Sequence, residues 1–270
     1  MRWLAVARKD FENAARAYLV WGVAGVLAAL VVLIVTVPGV VGNFSARLAF
    51  EATTQAVGTV VPIVALVAAY LSVAGERESG TLRLLLSLPP SRRDVVLGKF
   101  LARAALVVAS ILLAFALGAV ASLAVYGTLP LDVALGTAAL TCLLGVSFVG
   151  IAVGVSASVG TRARAVALAV GFFVLTVVLW SPLLLAVRVL LGLPLQGGAQ
   201  PDWILFLEAL PPSSAFGRLY DSVVGSLLPG GPAASNSVFL SDGAMLAILA
   251  FWTLVPLALG YWRFERADLG

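Results

Sequence analysis

Residues 17–46 read AYLVWGVAGVLAALVVLIVTVPGVVGNFSA, a run without a single Asp, Glu, Lys or Arg. About 20 apolar residues in a helix suffice to cross a hydrocarbon core roughly 30 Å thick, and this run supplies them. Five more charge-free stretches follow, at 52–75, 104–131, 133–161, 165–187 and 243–262. Trimmed to their apolar centres, the six predict spanning helices over 19–38, 54–75, 100–126, 133–159, 165–190 and 243–262. The runs are apolar throughout, whereas barrel strands alternate over about 10 residues. No long amphipathic helix is left over to cover a soluble core. The fold class that follows is an all-α integral membrane protein, one transmembrane domain over 1–270 with six transmembrane helices.

Composition agrees. Hydrophobic residues are 61% of the 270 and charged residues 11%, against about 45–50% and about 25% in a soluble domain; mean hydropathy is +1.09. The chain has no His and one Cys, Cys142, which excludes His-based triads, His-ligated metals and intrachain disulfides. No metal site is expected, and Cys142 reads as inert packing. Gly98-Lys99 runs into Phe100 and completes no phosphate-binding loop; Gly154-Val-Ser-Ala-Ser completes no nucleophile elbow. The spans hold no acidic pair. We therefore expect no catalytic residue and no enzyme activity in this chain.

The charges that remain set an orientation. Fourteen Lys and Arg fall on the side holding the N-terminus, the second and fourth loops and the C-terminus, and three (Arg47, Arg188, Arg218) on the other. The positive-inside rule then predicts both termini in the cytoplasm, in a multi-pass plasma-membrane protein. The same asymmetry accounts for the basic balance of +4 without nucleic acid as a partner. Residues 1–18 place Trp3, Ala7, Phe11, Ala14 and Tyr18 at helical spacing, which predicts an interfacial amphipathic helix carried by Trp3, Phe11 and Tyr18.

Outside, 192–242 carries Gly197-Gly198, Pro211-Pro212 and Pro229-Gly-Gly-Pro232 as turn signals. Two apolar-rich pieces between them, 203–210 and 214–228, predict short helices at the outer interface. Arg188 reads as a snorkelling anchor. Gly150, Gly154 and Ser158 recur four apart, a spacing that lets helix backbones approach closely. The mild polar residues Thr54, Gln55, Thr141 and Ser147 are the expected lining of any pathway.

The segment between the second and third spans, ERESGTLRLLLSLPPSRRDVVLGK at 76–99, carries the most information. Glu76, Arg77 and Glu78 end the second span. Gly80 permits a sharp reversal. Thr81 to Ser87 predict a short helix with Leu82, Leu85 and Leu86 on one face and Arg83 pointing away. Pro89-Pro90 stop it, and Ser91-x-x-Asp94 reads as a capping box opening the next helix. A short leucine-rich helix held just beyond the membrane suits docking into a partner's groove.

These residues resemble the signature of ATP-binding-cassette (ABC) permeases of the type-2 exporter class. That pattern is an acidic pair, Ser-Gly-Thr, leucines, Pro, Ser-Arg and Gly-Lys, here Glu76, Glu78, Ser79, Gly80, Thr81, Leu84, Leu85, Pro89, Ser91, Arg92, Gly98 and Lys99. The Arg2-Trp3-x5-Lys9 stretch resembles the class's interfacial helix, and Pro211-Pro-Ser-Ser-Ala-Phe216 its outer-loop element. Within the class the resemblance is nearest to permeases that serve nitrous-oxide-reductase copper-site maturation. It implies a second permease subunit, giving a homodimer in the lipid bilayer, and two ABC ATPase subunits that bind ATP and Mg, with no cofactor in this chain. The 76–99 loop would carry the coupling helix, with Arg162 and Arg164 as a second contact. Two other classes compete: an ATPase-independent channel, which the lack of charged pore rings disfavours, and a membrane scaffold or assembly factor.

Overall fold

A computed structural model describes residues 2–16, 18–42, 44–82, 90–194, 201–227 and 240–267. Among them every regular element is helical. Helix α1 covers Arg2–Ala15, α2 Tyr18–Val41, α3 Ala46–Ala69 and α4 Ala74–Glu78. Helix α5 covers Arg92–Tyr126 and α6 Leu131–Ser158. Helix α7 spans Arg162–Leu190, with a π-helical stretch at Val174–Leu179. Two short helices follow, α8 Asp202–Ala209 and α9 Pro212–Val223, and then α10 Asp242–Glu265.

Six of these are long and apolar enough to cross a membrane: α2, α3 with α4, α5, α6, α7 and α10. They extend past the apolar centres read from the sequence. Helix α3 begins at Ala46 rather than 54, because Ser45 caps it by accepting from the Leu48 amide. It therefore carries Arg47 and Glu51 in its first turns. Helix α5 begins at Arg92, where Ser91 and Asp94 form the full reciprocal capping box. Its 35 residues reach roughly 50 Å at 1.5 Å per residue. The span exceeds a bilayer core, so one end of α5 projects. Tyr18 corrects the expected extent of the interfacial helix: it opens α2 and is almost wholly exposed.

Helix α6 is the centre of the bundle and the most buried span. Its glycines explain why. A Cβ on Gly150 would lie 2.5 Å from the Thr253 carbonyl oxygen, and one on Gly154 would collide with the Pro256 carbonyl of α10. Gly260 presses back on the Gly154 backbone. Apolar burial gives little drive between helices in lipid, so this backbone-to-backbone fit, with its dispersion contacts, is what holds α6 to α10. Ser147 and Thr253 add hydroxyl hydrogen bonds across the same seam, at 3.1 Å to each other and 3.2 Å from Ser147 to the Leu249 carbonyl. Ser158 lies past the close approach, its hydroxyl donating to Val155.

Both described ends of the chain, α1 and the end of α10, gather with α4 and the start of α5; we call this end the base. Helices α8 and α9 cover the opposite end, the cap. Two indoles fix α8 there: Trp180 of α7 donates to the Leu207 carbonyl and Trp252 of α10 to that of Leu210. Helix α9 starts on Pro212, whose missing amide costs nothing at a first turn. It sinks Phe216, Leu219 and Tyr220 into the bundle.

Candidate functional site: a charged hub at the base and a hydroxyl groove at the cap

At the base, four charges meet. Lys99 of α5 is 2% exposed, and its ammonium lies 3.2 Å from Asp10 Oδ1 and 2.7 Å from Glu76 Oε1. Arg103, one turn on, places Nε 2.8 Å from Asp10 Oδ2. Its Nη1 donates to the Ala68 carbonyl at 2.9 Å, which satisfies one of the free terminal carbonyls of α3. Two carboxylates thus face two cations, with Glu76 Oε2 buried and without a hydrogen-bond partner among the described residues. The balance is what makes such burial tolerable, since an unpaired buried charge costs several kcal/mol (of order 3–5).

The hub has a packing reason as well. A Cβ on Gly98 would lie 2.8 Å from Val6 and 2.9 Å from the Trp3 carbonyl. Gly98 therefore lets α1 lie directly on α5, and Lys99 next to it receives Asp10. The face of α1 turned inward is Val6, Asp10 and Ala14; Phe11 points outward and Trp3 is half-buried.

The short α4 is clamped on all sides. Ser156 of α6 accepts from the Val73 and Ala74 amides, both at 3.0 Å. Glu78 accepts from the Arg162 amide at 2.5 Å, at the positive start of α7. Glu76 holds Lys99. Gly80 then turns the chain at φ +77°, a left-handed conformation that a residue with a Cβ adopts only with strain. Ser79 and Thr81 pair hydroxyls across that turn at 2.9 Å, and Leu82 plugs back into the core. The rest of the anticipated docking helix, including Arg83, Leu84, Leu85 and Pro89, lies outside the described residues.

Several predicted contact residues thus turn inward. Glu76 sits in the hub. Arg92 donates through Nη1 to the carbonyls of Phe264, Glu265 and Ala267 at 2.5, 3.0 and 2.8 Å, and so caps α10 rather than facing a partner. Of the predicted contact residues that are described, Glu78, Ser79, Thr81, Ser91, Arg162 and Arg164 are exposed. Sequence reasoning missed Asp10 and Arg103. The signal was there: an acidic residue at the i+4 position from Val6 on a basic helix, and an Arg one turn past Gly-Lys.

At the cap end, α3 exposes Glu51, Gln55 and Thr59, four apart and so on one face. Gln55 and Thr59 join Thr54, Thr176, Ser181 and Ser214 around a groove of about 190 Å³. The hydroxyls of Thr54 and Ser213 are buried there without a hydrogen-bond partner among the described residues. The π-helical stretch of α7 forms the facing wall, and such stretches are frequent at functional sites. Thr141 and Ser147, the other expected lining residues, are fully buried and bonded to carbonyls inside the bundle. They do not line this groove.

A bundle of six spans is the arrangement that the resemblance implied, and comparison with known proteins decides its membership. A family model described as ABC-2 family transporter protein matches residues 4–269. The chain belongs to that family. A Pseudomonas aeruginosa protein named as a probable ABC transporter permease, NosY, is 30% identical over 237 residues, 86% of this chain and 84% of its own length. A protein of the same name from Stutzerimonas stutzeri is 31% identical over 217 residues, 76% of this chain and 75% of its own. This ABC-2 protein is accordingly a multi-pass membrane permease subunit of an ABC transporter, a family that works with ABC ATPase partners. For such a permease, the polar stripe of α3 and the clamped α4 are the two features to explain.

Proposed function

We propose that this permease is the membrane half of an ATP-driven exporter, moved by a separate ATPase that seats on the 76–99 segment. The base faces the cytoplasm in this reading, which the arginine asymmetry supports. ATP and Mg bind in the partner, two ATPase subunits serve two copies of this chain, and this chain supplies no catalytic group. The observation that carries the reading is the junction at Glu76. The residue that leads into the Gly80 reversal is also the one that grips Lys99, at 2.7 Å, so a push on the loop reaches α5 and, through Asp10, α1.

A second copy is supported by the groove. Gln55 and Ser181 are exposed towards the cap ends of apolar spans, where lipid would leave their polar atoms unsatisfied. Helix α7, which carries Ser181, is the least buried span, at 11%. Another protein surface there would enclose the groove as a pathway. A channel free of an ATPase would need the groove but not the clamped reversal.

The test is the effect of Gly80→Val on coupling. In the purified complex, the variant is expected to insert and bind nucleotide while losing the ATP-dependent change in maleimide labelling of Gln55→Cys, measured with Cys142→Ser as background. Retention of that change would remove the loop from the mechanism. Orientation is tested separately by labelling Arg93→Cys and Ser226→Cys in sealed cells, with reactivity expected from inside and outside respectively. Labelling of both from the same side would contradict the topology.

A further inference from the structure

At the cap, between α7, α8 and α9, lies a second and larger cavity of about 620 Å³. Arg188, Arg218 and Glu208 line it, with Trp180, Ser181 and Ser214. Both arginines converge on the one carboxylate. Arg188 Nη2 pairs with Glu208 Oε1, and Arg218 Nη2 lies 3.2 Å from Oε2. Their side chains are 15% and 31% exposed and that of Glu208 26%, so all three are largely out of water. The lining charge is therefore one positive unit in excess. Arg188 Nε is buried with no hydrogen-bond partner among the described residues. Asp221, a turn beyond Arg218, feels its charge but does not line the cavity.

A guanidinium carries five N–H donors in a fixed fork, suited to two oxygens of one anion. Here two forks share one carboxylate, which leaves donors over. Burial makes both the unmet donor and the surplus charge costly. Ser181 and Ser214 offer neutral hydroxyls at the rim. Pro182, Leu184 and Leu185 add apolar lining, and the Trp180 indole N–H is already used by Leu207. We propose that this cavity binds an oxyanion (phosphate, sulfate or carboxylate) carried on an apolar body, with Arg188 and Arg218 as its ligands and Glu208 as the competitor that the anion displaces. An acidic lipid headgroup and an amphiphilic acidic cargo share that chemistry. The site requires neither the ATPase nor the coupling role of the 76–99 segment, so its failure and theirs are separate.

The experiment uses the full chain in neutral detergent and titrates hexyl phosphate at constant ionic strength, with hexanol as control and binding read by calorimetry. Wild type is expected to bind hexyl phosphate saturably and hexanol not at all. Arg188→Gln and Arg218→Gln are each expected to weaken binding at least about tenfold, the scale of a lost hydrogen bond to a charged group. Glu208→Gln removes the competitor and is expected to tighten it, an effect that a merely structural ion pair would not give. Nanodiscs of phosphatidylcholine with and without phosphatidylglycerol identify the source. Loss of hexyl phosphate binding when phosphatidylglycerol is present assigns the site to lipid; undiminished binding assigns it to a soluble cargo. Absence of saturable binding, or binding that persists unchanged in the Arg188→Gln/Arg218→Gln double variant, would overturn the proposal. Circular dichroism of each variant establishes that it is folded before it is titrated.

Discussion

The two ends of this molecule both bury charge, and they do so in opposite ways. At the base, Asp10 and Glu76 meet Lys99 and Arg103, two against two, with the ammonium held between both carboxylates. At the cap, Arg188 and Arg218 meet Glu208 alone. A balanced cluster spends its charges on one another, although Glu76 Oε2 is buried there without a hydrogen-bond partner among the described residues, and so fixes the positions of α1, α4 and α5 relative to one another. An unbalanced one keeps donors free for something else. Buried charge serves geometry in the first case and affinity in the second, and charge balance tells them apart where burial alone does not.

The largest effect should come from unbalancing the base. Lys99→Met leaves Asp10 facing Arg103 alone and Glu76 facing nothing, and should cost about 3–5 kcal/mol, the scale for one partner lost from a buried pair. Detergent-solubilised thermal unfolding measures it. Adding Asp10→Asn should recover part of the loss, a non-additivity of about 0.5–3 kcal/mol between contacting sites; strict additivity would mean that the two side chains do not act as a unit.

Gly98→Val separates packing from charge. Its new atoms meet Val6 and the Trp3 carbonyl, and overpacking of this kind costs about 1–3 kcal/mol. The loss should persist in the background that has both Lys99→Met and Asp10→Asn. Disappearance there would show that α1 is held by charge only.

Smaller again is Gly80→Val. The left-handed φ of +77° sets a cost of roughly 1–2 kcal/mol, a change in unfolding temperature that leaves the chain inserted. Smallest of all should be Arg218→Gln, at less than about 1 kcal/mol, because it removes the surplus charge and leaves Glu208 paired with Arg188. A stability loss there as large as that of Lys99→Met would erase the distinction between the two ends.

Much of the architecture was legible in the sequence because lipid imposes a simple rule: charge-free runs of sufficient length span. The Ser91–Asp94 capping box and the Gly80 reversal were legible because each depends on two or three neighbouring residues. The hub was not. Asp10 and Lys99 are 89 positions apart, and on α1 the acid looks like one more polar residue among Arg8, Lys9 and Glu12. Only the close approach at Gly98 turns it inward. Arg92 misled for a similar reason: its partners are the final carbonyls of α10, 172 to 175 positions away. Arg188 was read alone as a snorkelling side chain because Glu208 sits on a short helix whose placement depends on two indoles. Thr54 and Gln55 do line the groove, whereas Thr141 bonds within α6 and Ser147 also bonds across its seam with α10, and helical periodicity does not tell a lining hydroxyl from one bonded inside the bundle.

In the proposed mechanism, motion at the 76–99 segment reaches the bundle through the Glu76–Lys99–Asp10 contacts. The most direct measurement is maleimide labelling of Gln55→Cys in the ATPase-bound complex, with and without trapped ATP, compared between the otherwise native chain and Lys99→Gln, both with Cys142→Ser. The expected result is an ATP-dependent change in labelling that Lys99→Gln abolishes while the ATPase stays bound. An equal change in both proteins would contradict it.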